Sequence, residues 1–260
     1  ARVYGYFEIK GQLPTGNLPQ TPPSPMFYWS SQVKKSLSNW GFNEVYNYSL
    51  VSKELLSRLG ETNNIVTILN PLTEDMTVMR TTLVPQLLEN ILINKTRQDL
   101  RFFELSNIYL SKEGDLPDEI PMLTIALSSP KEDFFSFKGV LENLTKELKI
   151  NETEFAKTNH SYLSPVAEIL INDKKVGVMG EVKKISLDKF GLNRKVFVAD
   201  LFFDALSQYA KRTNNFTPFP RYQPITLDLT ITKPDKLTIA SLLKTSRNSS
   251  SLLKEIEVKD

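Results

Sequence analysis

NPLTEDMTVMRTTLVP, residues 70–85, is the stretch around which the chain is organised, and RFFEL follows it at residues 101–105. The Asn-Pro pair at its start indicates a loop, because proline disfavours helix in the residue before it. Apolar residues then recur at three- and four-residue spacing, which predicts an amphipathic helix from Leu83 to Lys95. Pro85 fits the first turn of this helix, where a backbone amide has no partner to lose. The aromatic and branched residues of Phe102–Tyr109 predict a strand.

Helices and strands alternate along the rest of the chain. Three- and four-residue spacing of apolar residues predicts a helix over Pro25–Trp40 and another over Phe134–Leu148. Residues 172–175 lie between two apolar runs and predict the turn of a hairpin. Several strand pairs are thus adjacent in sequence, so we expect an α+β fold with a mainly antiparallel sheet flanked by helices. Further strands are predicted at Phe42–Leu50, Ile65–Leu69, Met122–Leu127 and Val196–Leu201.

The two ends of the chain differ from this middle part. Residues 1–24 contain four prolines and predict a short strand and an extended linker. Residues 211–224 contain three prolines and predict a second linker. Alternation over residues 225–231 then predicts a half-buried strand, followed by a helix near residues 237–244 and a strand near residues 253–258. This order is the first half of a ferredoxin-like fold. The predicted units are therefore residues 1–24, 25–210, 211–224 and 225–260.

The composition excludes several classes of protein. The chain has no cysteine, which excludes disulfides, thiolate metal sites and cysteine nucleophiles and fits a reducing cytoplasm. No apolar run reaches the roughly 20 residues that would span a bilayer, so no membrane contact is expected. The net charge is only +2, but residues 211–260 carry nine Lys/Arg against five Asp/Glu. This basic C-terminal part permits contact with RNA.

Few residues suggest chemistry of their own. His160 is the single histidine, so no histidine cluster could bind zinc, and we interpret it as an ordinary loop residue. Neither a Gly-x-Ser-x-Gly turn nor a Gly-Lys-Ser/Thr phosphate loop occurs. The pair Glu74-Asp75 could bind Mg²⁺ through waters, but adjacent loop carboxylates are more often solvated. We therefore predict no catalytic and no metal-binding residue.

Several short motifs between residues 70 and 104 occur together in one order: Asn-Pro, an acidic pair, Met-Arg-Thr, Leu-x-Pro-x-Leu-Leu and Arg-Phe-Phe-Glu. This order resembles the β subunit of bacterial-type phenylalanyl-tRNA synthetase. The resemblance is to its catalytic-like module, a degenerate copy of the class II aminoacyl-tRNA synthetase core. It implies that residues 1–24 end a preceding domain, that residues 25–210 form the catalytic-like domain, and that residues 225–260 begin the anticodon-binding domain.

The resemblance also implies a core without catalytic activity. Arg101 and Glu104 stand where the second class II motif would begin, and we assign them to a degenerate copy of that motif. The strand–helix turn of residues 199–205 takes the place of the third motif and contains neither glycine nor arginine. Phe202 and Phe203 are predicted to fill the space through which a nucleotide would approach.

The same resemblance implies partners. The segment would pack against a catalytic α subunit in an (αβ)₂ heterotetramer that charges tRNA(Phe) with phenylalanine. The assembled enzyme would bind ATP and Mg²⁺, and this segment would bind no cofactor. We expect Arg80 to use its planar guanidinium to bind loop carbonyls or a partner carboxylate, the alternative being a surface arginine with its stem on apolar neighbours. The predicted subunit-interface residues are Trp29, Val33, Asn70, Pro71, Arg80, Leu87 and Ile91.

Two other interpretations of the sequence stay open. The chain could be a self-sufficient ligand-binding domain or enzyme with a pocket walled by Phe102, Phe103 and Phe134. It could also be a freestanding synthetase-like adaptor for RNA or protein. Binding of ATP or phenylalanine to the segment alone would favour the first of these. The domain fragments expected at both ends argue against the second.

Overall fold

A computed structural model describes residues 2–13, 15–17, 24–150, 153–213, 218, 221–234, 237–250 and 252–258. Seven α-helices lie in these ranges, and short 3₁₀ turns occur at Tyr6–Glu8 and Glu74–Met76. None of the described helices has both the length and the apolar character needed to cross a bilayer. The helices are α1 (Pro25–Asn39), α2 (Lys53–Ser57), α3 (Val84–Ile93), α4 (Phe134–Glu147), α5 (Lys184–Lys189), α6 (Phe203–Tyr209) and α7 (Ile239–Ser249).

Seven strands form one sheet, and two short strands form a separate pair. The large sheet has the order β1-β4-β5-β9-β8-β7-β6. Its neighbours pair in antiparallel fashion except β1 and β4, which are parallel. This confirms the mainly antiparallel α+β fold. The strands are β1 (Asn43–Glu44), β2 (Leu50–Val51), β3 (Val78–Met79), β4 (Leu100–Leu110), β5 (Asp118–Ser128), β6 (Thr153–Lys157), β7 (Leu163–Ile171), β8 (Lys174–Val182) and β9 (Phe197–Phe202).

Side chains alternate between the two faces of the sheet along each strand. The central strands carry apolar side chains on both faces, and a different set of helices covers each face. One cluster of buried side chains joins the sheet to α1, α4 and α6 and includes Val33, Phe103 and Phe203. A second cluster lies on the opposite face and joins the sheet to α2, α3 and α5. We call these the first face and the second face. Leu87 and Ile91 of α3 are fully buried in the cluster of the second face.

The predicted hairpin turn is confirmed. Asn172 and Asp173 connect β7 to β8 with φ angles of 51° and 61°, which is the conformation that a two-residue turn between antiparallel strands requires. The helices predicted over Pro25–Trp40, Leu83–Lys95 and Phe134–Leu148 are also present, with ends shifted by one or two residues.

Other predicted strands are shorter than expected. Phe42–Leu50 contains β1 and the first residue of β2, separated by a loop at residues 45–49. Ile65–Leu69 forms only a single bridge, from Thr67 to Val78. The chain between these segments therefore leaves the large sheet and lies over its second face, where the short β2–β3 pair forms.

The strands predicted for the two ends of the chain are wrong where residues are described. The N-terminal strand is absent there, and one 3₁₀ turn stands in its place. The helix near residues 237–244 is present as α7, but residues 225–231 and 252–258 form no strand. All of residues 225–231 are exposed, so this alternating segment has no described sheet beside it with which to pair. Much of the predicted linker at residues 211–224 lies outside the described ranges.

Candidate functional site

Arg80 is the centre of a buried polar network on the second face. Its backbone is held at both ends, because its N–H donates to the carbonyl of Ser49 and its carbonyl accepts from Tyr109 N–H. With its backbone fixed in this way, the Arg80 side chain lies inside the chain, against Gln86 of α3. Its exposure is 0%, as for the core leucines around it. Arg80 is therefore not a surface arginine, and its contacts lie within its own chain.

The guanidinium of Arg80 makes five hydrogen bonds within the chain. Its Nε donates to the carbonyl of Asn107 at 3.0 Å, and its Nη2 donates to Ser106 Oγ. Its Nη1 is shared among the carbonyl of Asn47, Gln86 Oε1 and Glu104 Oε1, at 3.4, 3.2 and 2.7 Å. A guanidinium carries five N–H bonds. The contacts engage Nε, both N–H bonds of Nη1 and one of Nη2, and the residue is fully buried, so little donor capacity is left for a ligand.

Glu104 is the negative partner of Arg80. The two side chains are each 1% exposed and form an ion pair at 2.7 Å. The Glu104 carboxylate also accepts from the backbone N–H and the side-chain Nδ2 of Asn47, at 3.3 and 2.7 Å. Gln86 reinforces the same contact by donating to the carbonyl of Tyr48 at 2.7 Å. The network thus fastens the loop at residues 45–49 to both α3 and β4.

The structure separates Arg101 from Glu104. Residues three apart on a strand point to opposite faces, so Glu104 lies on the second face and Arg101 on the first. Arg101 instead pairs with Glu132 at 2.7 Å and lies over the ring of Phe42. The two residues assigned to a degenerate second motif therefore do not form one site.

The predicted interface residues divide into two groups. Asn70 and Pro71 are exposed in the loop before β3. The other five, including Arg80, are buried inside the chain itself, so their side chains are not on its surface. Large apolar side chains are nevertheless exposed next to this pair in sequence, namely Leu69 and Leu72. Tyr46 and Tyr48 are exposed separately on the loop at residues 45–49, where Lys34 of α1 donates to the Tyr46 hydroxyl at 3.1 Å.

The turn that takes the place of the third motif is filled differently from the prediction. Phe203, the first residue of α6, is fully buried in the cluster of the first face. Phe202 precedes it at the end of β9 and remains 37% exposed. The two rings therefore do not fill one space. The polar group that β9 contributes to the second face is Asp200, which the sequence analysis did not single out.

Asp200 is a carboxyl group enclosed by hydroxyl groups. It accepts hydrogen bonds from Thr124 Oγ1 on the neighbouring strand and from Thr82 Oγ1 at 3.4 Å. Burial raises the pKa of Asp200 from its usual 3.8 to about 6, although the two threonine hydrogen bonds act in the opposite direction. Burial likewise raises the pKa of Glu61, and raises that of the Tyr162 hydroxyl well above 10.0. This part of the second face thus disfavours negative charge.

We expect Asp200→Asn to change the pH dependence of stability. Because its folded-state pKa is raised, Asp200 keeps its proton between about pH 4 and pH 6 while the unfolded chain has lost it, so stability falls as pH rises through that window. The variant lacks this titration. Relative to the parent chain it should gain about 2 kcal/mol between pH 4.5 and pH 7.5. Urea unfolding at the two pH values measures this gain.

Asp188→Asn is the matched control for that measurement, because Asp188 is exposed on α5. It should alter the free energy of unfolding by the same small amount at both pH values. If Asp200→Asn behaves in that way too, the carboxyl group is ionised in the folded chain at pH 4.5, and the raised pKa is wrong.

The phenylalanine-walled pocket is contradicted. Phe102 belongs to the cluster of the second face, and Phe103 to that of the first face. Phe134 packs against the cluster of the first face. The three rings therefore cannot line one cavity. His160 lies in a loop, as expected, with its ring edge-on to Tyr162 at 4.5 Å; burial, Lys175 and Lys183 lower the pKa of its imidazole.

The residues of the second face do not fit a nucleotide with its metal. Binding of phosphate calls for a cation with free donors, whereas the donors of Arg80 are engaged within the chain. Asp200 would repel phosphate whenever it is ionised. Glu74 and Asp75 are exposed neighbours in one 3₁₀ turn, and across the described ranges no three acidic or histidine side chains gather as metal ligands would.

Comparisons with known proteins agree on one family. The family model for the phenylalanyl-tRNA synthetase β chain CLM domain matches residues 9–203. A phenylalanine–tRNA ligase β subunit from Fusobacterium nucleatum is 29% identical over 100% of this chain and 35% of its own length. One from Dehalococcoides mccartyi is 32% identical over 92% of this chain and 31% of its own length. The chain thus spans about a third of the length of these curated relatives.

The fold has a counterpart among solved structures. Pyrrolysyl-tRNA synthetase from Desulfitobacterium hafniense superposes with a TM-score of 0.59 at 15% identity, covering 73% of this chain and 74% of that one. At this identity the likeness concerns the fold alone. It agrees with the mainly antiparallel α+β architecture described above.

Proposed function

The chain belongs to the phenylalanyl-tRNA synthetase β chain family, and from this premise we propose that it is a non-catalytic segment of a phenylalanine–tRNA ligase β subunit. In the cytoplasm the segment packs against a catalytic α subunit within an (αβ)₂ heterotetramer. That assembly esterifies phenylalanine onto tRNA(Phe), using ATP and Mg²⁺ held by the α subunit. The segment itself holds neither, and its role is to position its catalytic partner.

The burial of Arg80 and its hydrogen bonds within its own chain are the observation that supports this proposal. Amino-acid activation requires cations whose donors point at the phosphates of ATP. On the second face the buried Arg80 donates five hydrogen bonds to groups of its own chain. These contacts hold the loop at residues 45–49 and the start of α3 in fixed positions. The arrangement suits a rigid scaffold better than an adenylate site.

We place the α-subunit contact on the exposed apolar side chains around Asn70 and Pro71. Leu69 and Leu72 flank this pair and are almost fully exposed, while Tyr46 and Tyr48 are exposed on the loop at residues 45–49. Backbone hydrogen bonds link both loops to residues 77–80, since Ile68 pairs with Thr77 and Arg80 with Ser49. Leu69 and Leu72 are exposed apolar side chains within four residues of each other, and such exposed apolar groups mark a protein-binding surface. Arg80, Leu87 and Ile91 would support this surface from inside.

A sizing-column experiment with a catalytic α subunit tests the proposal. The 260-residue chain should co-elute with the α subunit, and Leu69→Ser/Leu72→Ser should weaken the complex at least tenfold. Leu116→Ser is the control, because this leucine is also exposed but lies in the loop between β4 and β5. Separate elution of two folded partners would contradict the proposal. Tight binding of ATP to the chain alone, measured by titration calorimetry, would contradict the lack of a nucleotide site.

We also propose that the chain from residue 225 onward belongs to a ferredoxin-like, anticodon-binding domain, separated from residues 25–210 by a linker. The alternating apolar residues of 225–231 and the presence of α7 support this assignment. In that domain residues 225–231 would become a strand once neighbouring strands pair with them.

A further inference from the structure

A basic cleft lies at the end of the large sheet that is farthest from the turn between β9 and α6. It is about 740 Å³ in volume, and its lining residues come from three segments: 95, 97 and 98; 128–130 and 132; and 191–195. At this end β4 begins, β5 ends and β9 begins, so the Asp200 carboxyl group and the Arg80 network are on another part of the sheet. None of the contacts described above accounts for this cleft.

The charged side chains that line the cleft are mostly cations. Four of them, Lys95, Arg97, Arg194 and Lys195, face one carboxylate, Glu132. That carboxylate is already neutralised by its ion pair with Arg101. Asp99 is adjacent in sequence, exposed, and outside the lining. Because the whole chain has a net charge of only +2, this concentration of positive charge is a local feature.

Arg194 holds the cleft in shape. Its guanidinium donates to the carbonyls of Arg97, Gln98 and Ser128, so it ties the loop before β4 to the end of β5. Gly191 is the first residue of the lining segment 191–195, and its φ of 68° is a conformation that favours glycine. These contacts fix the backbone around Arg97 and the end of β5 before any ligand arrives, so less backbone has to be ordered on binding.

We propose that this cleft binds the phosphodiester backbone of RNA. Lys95, Arg97 and Lys195 are exposed around its rim and would contact successive phosphates, while the amides of Gln98 and Asn193 would donate to phosphate or 2′-hydroxyl oxygens. Among the described residues that line the cleft none is aromatic, so bases are not stacked and the contact is independent of sequence. This inference rests on the proposed function, in which the ligand is the tRNA of the assembly.

Fluorescence anisotropy with a labelled tRNA(Phe) transcript and the 260-residue chain tests the proposal. The triple variant Lys95→Gln/Arg97→Gln/Lys195→Gln should bind at least tenfold more weakly at 50 mM salt. A plot of log affinity against log salt has a negative slope, and this slope should become shallower by about 2, because each lost phosphate contact accounts for roughly 0.7–0.9. Lys35→Gln/Lys146→Gln/Lys174→Gln is the control, since it removes the same charge from exposed sites elsewhere and should bind within twofold of the parent.

Equal weakening by both triple variants would overturn the proposal, because binding would then follow net charge alone. Competition by poly-glutamate as effective as by unlabelled transcript would overturn it in favour of an acidic protein partner. Retention of α-subunit binding by the cleft variant separates the two proposals. If the α subunit does not bind the parent chain but RNA binding still needs the three cations, the proposed function fails and the cleft stands.

Discussion

Arg80→Met should lower the free energy of unfolding by about 3–5 kcal/mol, the usual cost of removing one partner from a buried ion pair. The variant leaves the Glu104 carboxylate at 1% exposure without its cation. It also leaves the carbonyls of Asn47 and Asn107 without that donor. Urea unfolding followed by circular dichroism measures the loss. A cost below about 1 kcal/mol would show that the network adapts without its centre.

Two further variants separate charge from geometry. Arg80→Lys keeps the charge but replaces the planar fork by a single ammonium group, so it should recover only part of the loss. Arg80→Met/Glu104→Leu removes both charges and should be less destabilising than the sum of its single variants, because no ion remains buried alone. Additive costs would show that the two side chains are independent. The same variants should weaken α-subunit binding if Arg80 supports the exposed loops.

Much of this network was hidden from sequence reasoning because its members are far apart along the chain. The sequence singles out Arg80 because it belongs to the Met-Arg-Thr motif at the approach to an apolar helix. The motif order marks its partner Glu104 only together with Arg101, although a spacing of three on a strand places the two side chains on opposite faces. The spacing of two between Glu104 and Ser106 carried the missing signal, since both lie on the face of Phe102. Polar residues at inward positions of a strand indicate a buried network.

The fold was easier to predict than the interface. Periodic apolar residues specify which elements form, and the hairpin turn specifies one strand pairing. The same periodicity cannot distinguish a helix face that packs on its own sheet from one that binds a partner. For Val33 and Leu87 the sheet of the same chain covers that face. Short irregular segments such as residues 45–49 carry no period, so the exposed Tyr46 and Tyr48 could be found only in the structure.

Phe203→Ala and Phe202→Ala form a matched pair with opposite expectations. Phe203 is fully buried, and its truncation should cost about 3–5 kcal/mol through lost contacts and the cavity that remains. Phe202 is 37% exposed and should cost less than about half of that, because much of its ring is already in water. Comparable losses at the two positions would show that the exposed ring carries as much of the packing as the buried one.

The same pair tests whether removing a ring creates a nucleotide site. The cavity left by Phe203→Ala would lie among apolar side chains such as Leu37 and Leu141 of the first face. Cavities of that kind stay dry and accept only apolar ligands. Neither single variant should therefore bind ATP in titration calorimetry at concentrations that saturate an active synthetase. Binding by Phe203→Ala would mean that one bulky side chain is all that blocks nucleotide, and it would contradict the proposal that this segment has no nucleotide site.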